Sequence, residues 1–177
     1  MFTANQTLYH LLCPYFTPLA IPAKHNLIEE GHFSKHFYFV QEGALRGWTL
    51  HEGKEVTFQF VFEGGFFCSI ESFWYDKPSQ YTVEALENTH LLALDKAQLK
   101  ELMQENVVLL EAFTTYMIER VLIYQKMTID RIKENPEKRY KQLMQQAPEI
   151  IQRIPQHYVA SYLGITPVSL SRIRNRR

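Results

Sequence analysis

A stretch of 39 residues without Gly or Pro, from Asp95 to Lys133, divides this 177-residue chain into two parts. Gly and Pro are the residues that most often interrupt a helix, so this stretch has room for long helices. Before it, between residues 37 and 94, short apolar runs alternate with Gly, Asn, Asp and Pro. The sequence therefore predicts an α+β chain, with strands in the first part and helices in the second.

The first part of the chain has the pattern of several short strands. From Val56 to Phe62 every second residue is Val or Phe, which predicts a strand that buries this face. Glu-Gly and Gly-Gly pairs between the runs supply the positive φ that hairpin turns need. A spacing of ~8–12 residues between strands indicates a sandwich or barrel, and a double-stranded β-helix (jelly roll) fits best. The predicted strands are 37–40, 45–50, 56–62, 81–85 and 90–94.

The second part predicts a short helix followed by a long one. Asp95 is a suitable N-cap for a helix over 96–103, and a longer helix is expected between Asn106 and Pro136. In the long helix, apolar residues recur every seven positions in two neighbouring rows that start at Leu109 and Leu110. One row can pack on the strands and the other on a second copy of the helix, so we expect a homodimer; a buried helix in a monomer is the alternative. The expected interface residues are Leu110, Phe113, Met117, Val121 and Tyr124.

The formal charge is zero overall but is divided unequally along the chain. Residues 1–95 carry 5 Lys/Arg and 11 Asp/Glu, a net of −6, and residues 96–177 carry 14 and 8, a net of +6. From Lys138 onward there are 8 basic residues and 1 acidic residue, a net of +7. This segregation favours a polyanion partner for the C-terminal part; a solvated basic surface is the alternative. An apolar share of 46% and a charged share of 21% are typical of a globular chain and argue against disorder.

The segment from Pro155 to Arg177 has the pattern of two short helices joined by a tight turn. Gly164 suits the turn that ends the first helix, and Thr166-Pro167 provides an N-cap and a first residue for the second. Leu170 and Ile173 are spaced to face the first helix, which leaves the Ser and Arg side chains pointing outward. This pattern is typical of a helix-turn-helix DNA-binding unit. An ordinary helical hairpin is the alternative.

Four segments share features with one family: Val40-Gln41-Glu42-Gly43-Ala44-Leu45-Arg46, Phe62-Glu63-Gly64-Gly65-Phe66-Phe67, Thr82-Val83-Glu84-Ala85-Leu86-Glu87 and Val159 through Arg174. With them the chain resembles the Crp/Fnr family of bacterial transcription regulators, and the resemblance covers nearly the whole chain. It implies a cyclic-nucleotide-binding-like β-roll sensor domain in residues 1–105, a dimerisation helix in 106–135 and a helix-turn-helix DNA-binding domain in 136–177. It also implies a cytoplasmic, non-enzymatic regulator whose partners are double-stranded DNA, a second copy of itself, RNA polymerase and a small-molecule effector.

Two positions depart from the pattern of relatives that bind cyclic AMP. Those relatives have a Glu for the ribose and an Arg for the cyclic phosphate, but this sequence has Ser69 and Ser79 at these positions, and Glu71 lies two residues away. A buried phosphate without a charged partner costs several kcal/mol, so we expect no response to cyclic AMP. The candidate ligand-pocket residues are Cys68, Ser69, Ile70, Glu71, Ser79, Gln80, Tyr81, Tyr116 and Tyr124.

The resemblance also places the second helix of the C-terminal unit in the major groove of DNA. Arg172 matches an Arg that relatives use on bases or phosphates, and Val168 stands where relatives often have a Glu. Val can contact a thymine methyl group but accepts no hydrogen bond, so the preferred DNA sequence should differ from the known family sites. The expected DNA-binding residues are Gln156, Thr166, Val168, Ser169, Ser171, Arg172, Arg174, Arg176 and Arg177, of which the last three suit phosphates.

Other functions receive less support from the sequence. There is no nucleophile–base set and no His-x-His motif of a metal-dependent cupin, and the four-residue spacing of His32 and His36 does not converge two ligands on strands or loops. We therefore expect no catalytic residue, no metal and no cofactor. Cys13 and Cys68 are expected to be reduced thiols, and a disulfide between them is the alternative. Cys68 is expected to be either a buried packing residue or a redox sensor.

A competing interpretation is a small-ligand-sensing protein that acts through protein contacts, with a non-functional DNA-binding domain. Neither interpretation involves a membrane. No apolar run approaches the ~18 residues that a spanning helix needs, and the first residues lack the pattern of a secretory signal.

Overall fold

The computed structural model of the chain describes residues 4–175. The strands in this range are β1 (Thr17–Ile21), β2 (Asn26–Ile28), β3 (His36–Glu42), β4 (Leu45–His51), β5 (Lys54–Val61), β6 (Phe66–Phe67), β7 (Thr82–Ala85) and β8 (Thr89–Asp95). They form two four-stranded sheets with the orders β1-β8-β3-β6 and β2-β7-β4-β5. Every strand pair is antiparallel.

The two sheets pack face to face around a shared apolar core and form a β-roll. Val40 and Leu91 of the first sheet are fully buried against Leu45 and Val83 of the second. All five strands predicted from the sequence are confirmed. The pattern does not reveal β1, β2 and β6, because they are only two to five residues long and β1 is exposed at four of its five positions.

Eight α-helices complete the described chain. The three before the long helix are α1 (Ala4–Leu12), α2 (Ile70–Tyr75) and α3 (Lys96–Glu105). The long helix is α4 (Val107–Lys133), and it is followed by α5 (Pro136–Gln146), α6 (Pro148–Arg153), α7 (Gln156–Tyr162) and α8 (Pro167–Asn175). A short 3-10 helix, Cys13–Tyr15, joins α1 to β1.

Side-chain caps fix where the middle helices begin. The Asp95 carboxylate accepts from the Ala97 N–H at 2.7 Å, and the Asn106 side chain accepts from the Leu109 N–H at 3.1 Å. Both capping residues were predicted, and α3 continues two residues beyond its predicted end at Met103. The long Gly- and Pro-free stretch therefore folds as two helices separated by the single residue Asn106.

One face of α4 packs on the outer surface of the first sheet, together with α1 and α3. Phe113 and Tyr116 of α4 contact Phe37 of β3, with ring centroids 5.6 Å and 6.4 Å apart. Leu8 of α1 and Leu99 of α3 are fully buried in the same cluster. This packing aligns the first half of α4 with the β-roll and leaves the opposite face of the helix uncovered.

The prediction that β5 buries the face formed by every second residue from Val56 to Phe62 is wrong. Thr57, Gln59 and Val61 are the buried residues of this strand, whereas Val56 is 38% exposed and the Phe residues are partly exposed. The reason is that both faces of β5 are covered. Val61 joins the core between the sheets, and Phe60 lies against the C-terminal helices.

The C-terminal helices α5 to α8 pack on the outer face of the second sheet. Their own apolar cluster, which includes Ile150, Val159 and Leu170, is continuous with Ala44 and Phe60 of the roll. Phe60 contacts the Tyr162 ring with centroids 5.2 Å apart. The C-terminal helices are therefore held against the roll by apolar contact, and polar contacts fix the orientation.

The polar contacts centre on Arg46, a buried arginine on β4. Its Nε lies 2.8 Å from Glu84 Oε1, its NH2 group pairs with Glu55, and its guanidinium lies 3.7 Å from the centre of the Tyr158 ring on α7. Ser161 of α7 adds a backbone link, because its Oγ accepts from the Thr57 N–H at 2.9 Å. The Arg46 guanidinium is buried under α7 while Glu55 remains partly exposed, and its contact with the Tyr158 ring fixes the position of that helix on the sheet.

Candidate functional site

The turn between α7 and α8 has the geometry of a left-handed helix end. Gly164 adopts φ +68°, a conformation that favours glycine, and the next N–H, that of Ile165, donates to the Ala160 carbonyl at 3.0 Å. The Thr166 hydroxyl then caps α8 by accepting from the Ser169 N–H at 3.1 Å. The predicted turn, cap and Pro167 start are all present, so the loop between the two helices is short and well defined.

The outward face of α8 carries the residues that were predicted to contact DNA. Leu170 is 1% exposed and Ile173 is partly buried, so these two residues hold the helix against α7 and its neighbours. Val168 is 61% exposed on the other side. Ser171, Arg172 and Arg174 of the predicted set are also exposed on α8, as are Thr166 just before it and Gln156 at the start of α7.

Two guanidinium groups on this face are available to an external anion. Neither Arg172 nor Arg174 forms an ion pair with a carboxylate among residues 4–175. The Ser169 side chain is less accessible to an external partner, because it is partly buried and its hydroxyl lies 3.0 Å from that of Thr166. Arg176 and Arg177, also predicted to bind phosphates, lie outside the described residues.

A cavity of about 380 Å³ lies between the β-roll and α4. Five of the predicted pocket residues line it: Cys68, Ile70, Tyr81, Tyr116 and Tyr124. Sequence reasoning missed Phe37, Phe58, Gln59, Phe66, Phe67, Met117, Arg120 and Val121. Most of these were missed because their place on a strand or helix predicts burial in a core and does not distinguish a core from a cavity wall.

The other four predicted pocket residues do not line this cavity. Ser69 and Ser79 are buried and their hydroxyls lie 2.9 Å apart, with Ser79 also donating to the Tyr81 carbonyl at 2.8 Å. Glu71 pairs with Lys77 at 2.9 Å and also contacts Gln80 at the surface. Lys77 holds the pKa of the Glu71 carboxyl below its usual range. Glu71 is thus engaged outside the cavity and is not placed to replace the missing Glu.

The polar groups of the cavity are concentrated on one side. The Tyr124 hydroxyl donates to Gln59 Oε1 at 2.7 Å and accepts from the Arg120 guanidinium at 2.9 Å. On the other walls the hydroxyl of Tyr116 donates to the Phe66 carbonyl at 3.1 Å, so it is occupied within the chain. The cavity therefore has an apolar aromatic interior and one cationic corner on α4.

Burial suppresses acid–base and thiol chemistry in the cavity wall. Desolvation raises the pKa of Cys68 to about 12 and that of Tyr81 to about 12, and it raises the pKa of Tyr116 as well. At neutral pH the Cys68 side chain is a protonated thiol, and a thiol is a poor nucleophile compared with a thiolate. Of the two interpretations of Cys68, the structure favours the buried packing residue. Both cysteines of the described chain are unbridged.

The uncovered face of α4 is apolar along most of its length. Val121 is 64% exposed, and Leu110, Ile118 and Leu122 are also exposed. Phe113 is 4% exposed because it packs into the core of its own chain, so its predicted place at a dimer interface is wrong. Two other predicted interface residues turn towards the roll: Met117 packs partly on the same core, and Tyr124 bonds to Gln59.

Comparison with known proteins identifies the β-roll. The sequence pattern of the cyclic nucleotide-binding domain matches residues 18–106, half of the chain. This chain belongs to the cyclic nucleotide-binding domain family. The match covers all eight strands except the first residue of β1, and it also covers α2 and α3. No curated protein sequence gives a significant match to the chain.

Solved structures of regulators are similar over nearly the whole chain. FixK2 from Bradyrhizobium japonicum has a TM-score of 0.75 at 16% identity, with 91% of this chain and 83% of that chain covered. The c-di-GMP responsive global regulator CLP of Xanthomonas campestris has a TM-score of 0.74 at 14% identity, with 95% and 89% covered. The catabolite activator protein of Thermus thermophilus has a TM-score of 0.60 at 20% identity, with 95% and 84% covered. The shared fold therefore extends beyond the β-roll into the helices that follow it.

Among residues 4–175, no helix is both long enough and apolar enough to span a membrane.

Proposed function

We propose that this protein is a homodimeric DNA-binding transcription regulator of the Crp/Fnr type, cytoplasmic and without enzymatic activity. The observation that carries the proposal is the exposed face of α8, where Arg172 and Arg174 have no carboxylate partner among the described residues. The likeness of the whole fold to solved regulators supports it. In this proposal residues 1–105 sense an effector, 106–135 dimerise and 136–177 bind DNA, and RNA polymerase is a further partner of the protein.

In this proposal α8 enters the major groove with its exposed face towards the bases. Arg172 bonds a guanine edge or a phosphate, and Val168 contacts a thymine methyl group. Ser171 and Gln156 add hydrogen bonds, and Arg174 neutralises a phosphate. Thr166 and Ser169 contribute chiefly by fixing the start of α8, since their hydroxyls bond to each other and the Thr166 hydroxyl also accepts from the Ser169 N–H.

The exposed apolar face of α4 supports dimerisation. Val121, Ile118 and Leu122 are spaced by three and four residues, so they lie on one side of the helix. All three are exposed in a single chain, where a row of apolar side chains in water is unfavourable. A second α4 packed along this row would remove it from water and would place two α8 helices in one particle.

Two serines of the β-roll, Ser69 and Ser79, support the proposal that this regulator does not respond to cyclic AMP. Ser69 and Ser79 bond to each other at the positions where cyclic-AMP-binding relatives are expected to have Glu and Arg. Neither hydroxyl can neutralise a cyclic phosphate. Among residues 4–175, the one guanidinium in the wall of the cavity is that of Arg120, which lies on α4 and away from the two serines.

Binding of the purified protein to a fluorescent DNA duplex of mixed sequence tests this proposal. We expect a rise in anisotropy at low salt, with non-specific dissociation constants of roughly 10⁻⁴–10⁻⁶ M that weaken steeply as salt is added. Single-stranded DNA of the same length is the control. If the wild-type protein binds no duplex at low salt, the regulator proposal is wrong. The small-ligand sensor acting through protein contacts then takes its place.

A further inference from the structure

The cavity between the β-roll and α4 has one charged corner in an otherwise apolar wall. We propose that it binds a small carboxylate with an apolar aromatic body, and that Arg120 anchors the carboxylate. This inference rests on the proposed function, since it specifies the effector of the same sensor domain.

The apolar body of the ligand is inferred from the walls. Phe58 and Phe67 contact the Tyr81 ring with centroids 4.9 Å and 6.3 Å apart, and Phe66 contacts the Tyr116 ring at 5.4 Å. Rings in these edge-on arrangements suit a flat apolar ligand, which can lie between faces and edges. A sugar would place several hydroxyl groups against these walls without partners, at a cost for each.

The hydrogen-bonding groups of the interior walls are already occupied. The Tyr116 hydroxyl donates to the Phe66 carbonyl, and the Tyr81 hydroxyl donates to the Cys68 carbonyl at 3.3 Å. Both phenols have raised pKa values because of burial, so neither carries a charge at neutral pH. The apolar walls therefore offer little to a ligand with polar groups along its length.

The anionic head of the ligand is inferred from the cationic corner. Arg120 is half-buried and forms no ion pair with a carboxylate among residues 4–175. Its described contacts are a hydrogen bond to the Tyr124 hydroxyl and the face of the Tyr124 ring, 4.9 Å away. A guanidinium has five N–H donors in a planar fork that matches a carboxylate, and Tyr124 uses one. No acidic residue lines the cavity, so nothing there repels an anion.

The volume limits the size of the ligand. A cavity of about 380 Å³ lies near the lower end of the range of about 300–1,000 Å³ that is usual for small-molecule pockets. A one-ring or two-ring aryl carboxylate fits this volume. A dicarboxylate does not match the wall, because the second charge would lie against Phe or Tyr rings.

Calorimetric titration of the full chain with 1-naphthylacetate tests the inference, with the neutral amide of the same shape as the matched probe. We expect saturable binding of the acid with a dissociation constant of about 100 µM or lower, and binding of the amide at least tenfold weaker. Arg120→Gln should weaken the acid at least tenfold and leave the amide unchanged. Arg120→Lys keeps the charge and should fall between the two.

Lys126→Gln is the control variant, since Lys126 is an exposed cation on the same helix outside the cavity. It should bind the acid as the wild type does. Equal affinities for acid and amide, or an Arg120→Gln variant that binds the acid normally, would overturn the inference. Duplex binding is measured separately on the same preparations. DNA binding without any naphthylacetate binding rejects the ligand and leaves the regulator, and the reverse result rejects the regulator and leaves the ligand.

Discussion

Single side chains on α8 differ in what they can contribute to DNA recognition. Arg172 projects from the exposed middle of the helix, since Leu170 and Ile173 occupy the inward side. Arg172→Ala should cost about 1–3 kcal/mol per subunit on the preferred DNA site and should relax the base preference near it. Gel-shift titrations on preferred and scrambled duplexes measure both effects.

Arg174→Ala is the comparison variant on the same helix. If Arg174 binds a phosphate, its loss should weaken all duplexes alike and reduce the slope of log affinity against log salt by about one. Lys126→Ala, which removes an exposed cation from α4, should leave both quantities unchanged. An Arg172→Ala protein that discriminates between the duplexes as well as the wild type does would show that the recognition face is wrongly assigned.

Two serines decide the expected response to cyclic nucleotides. Ser69 and Ser79 bond to each other and offer no charge to a cyclic phosphate. Calorimetric titration of the wild type with cyclic AMP and with cyclic GMP should show no saturable heat below roughly millimolar ligand, which corresponds to about −4 kcal/mol. Micromolar binding of either nucleotide would contradict this expectation and would mean that backbone amides or Arg120 hold the phosphate.

At the scale of one element, the exposed side of α4 leads to an expectation about assembly. Ile118 and Leu122 lie on the uncovered side of the helix, so Ile118→Glu with Leu122→Glu should bury carboxylates without partners in a dimer and should give monomers. Gln98→Glu with Gln104→Glu adds the same charge at exposed positions of α3 and should leave the dimer intact. Sedimentation equilibrium reports the mass. A wild type that is monomeric at tens of micromolar, where specific interfaces normally associate, is the contrary result.

The helices and strands show how far the sequence alone leads. The five predicted strands, the start of α4 and the turn at Gly164 follow from local signals: alternation, an Asn cap and a residue with positive φ. The burial of β5 does not follow, because Phe60 is covered by helices that lie about ninety residues further along the chain. The sequence placed Phe113 on the partner helix for the same reason, since periodicity shows two apolar rows but not which one the roll covers.

The residues of the candidate site were likewise predicted only in part from the sequence. The exposed residues of α8 were predicted because the inward positions Leu170 and Ile173 are marked by their spacing. Eight of the thirteen cavity residues were missed because the walls come from several strands and from α4, which are distant in sequence. Arg120 had no local pattern to mark it. Only the fold brings its guanidinium to Tyr124 and Gln59 at the edge of the cavity.

For the molecule as a whole, an ion pair between the β-roll and α6 makes the packing of the C-terminal helices on the roll sensitive to pH. Arg153 of α6 donates to both carboxylate oxygens of Glu63 at 2.8 Å and also contacts Glu87. The Arg153 hydrogen bonds lower the pKa of Glu63 from its ordinary 4.5 to about 2. Because the folded pKa is lowered, the stabilisation is complete above pH 4.5 and is lost as the pH falls towards 2.

Arg153→Gln should therefore destabilise the protein at pH 7, by about 0.5–1 kcal/mol given that the pair is partly exposed and screened. The difference from the wild type should shrink as the pH is lowered from 5 towards 2, because Glu63 becomes protonated in the unfolded chain below about 4.5 but in the folded wild type only near 2. Urea unfolding at each pH measures this difference in the free energy of unfolding. Lys126→Gln removes a cation from an exposed pair within α4 and tests for a general effect of charge. A stability difference that is the same at pH 7 and pH 3 would contradict the assignment of the pH dependence to the Arg153–Glu63 ion pair.

The central claim is that two α8 helices of one dimer read DNA together. Selection of bound sites from a random duplex library tests it most directly, because the two-fold symmetry of a dimer must appear in the DNA that it selects. The account predicts an enriched inverted repeat whose half-sites are centred about 10 base pairs, or a multiple of that distance, apart. Enrichment of a single unrepeated half-site would contradict the dimer, and no enrichment over the starting library would contradict sequence recognition by α8.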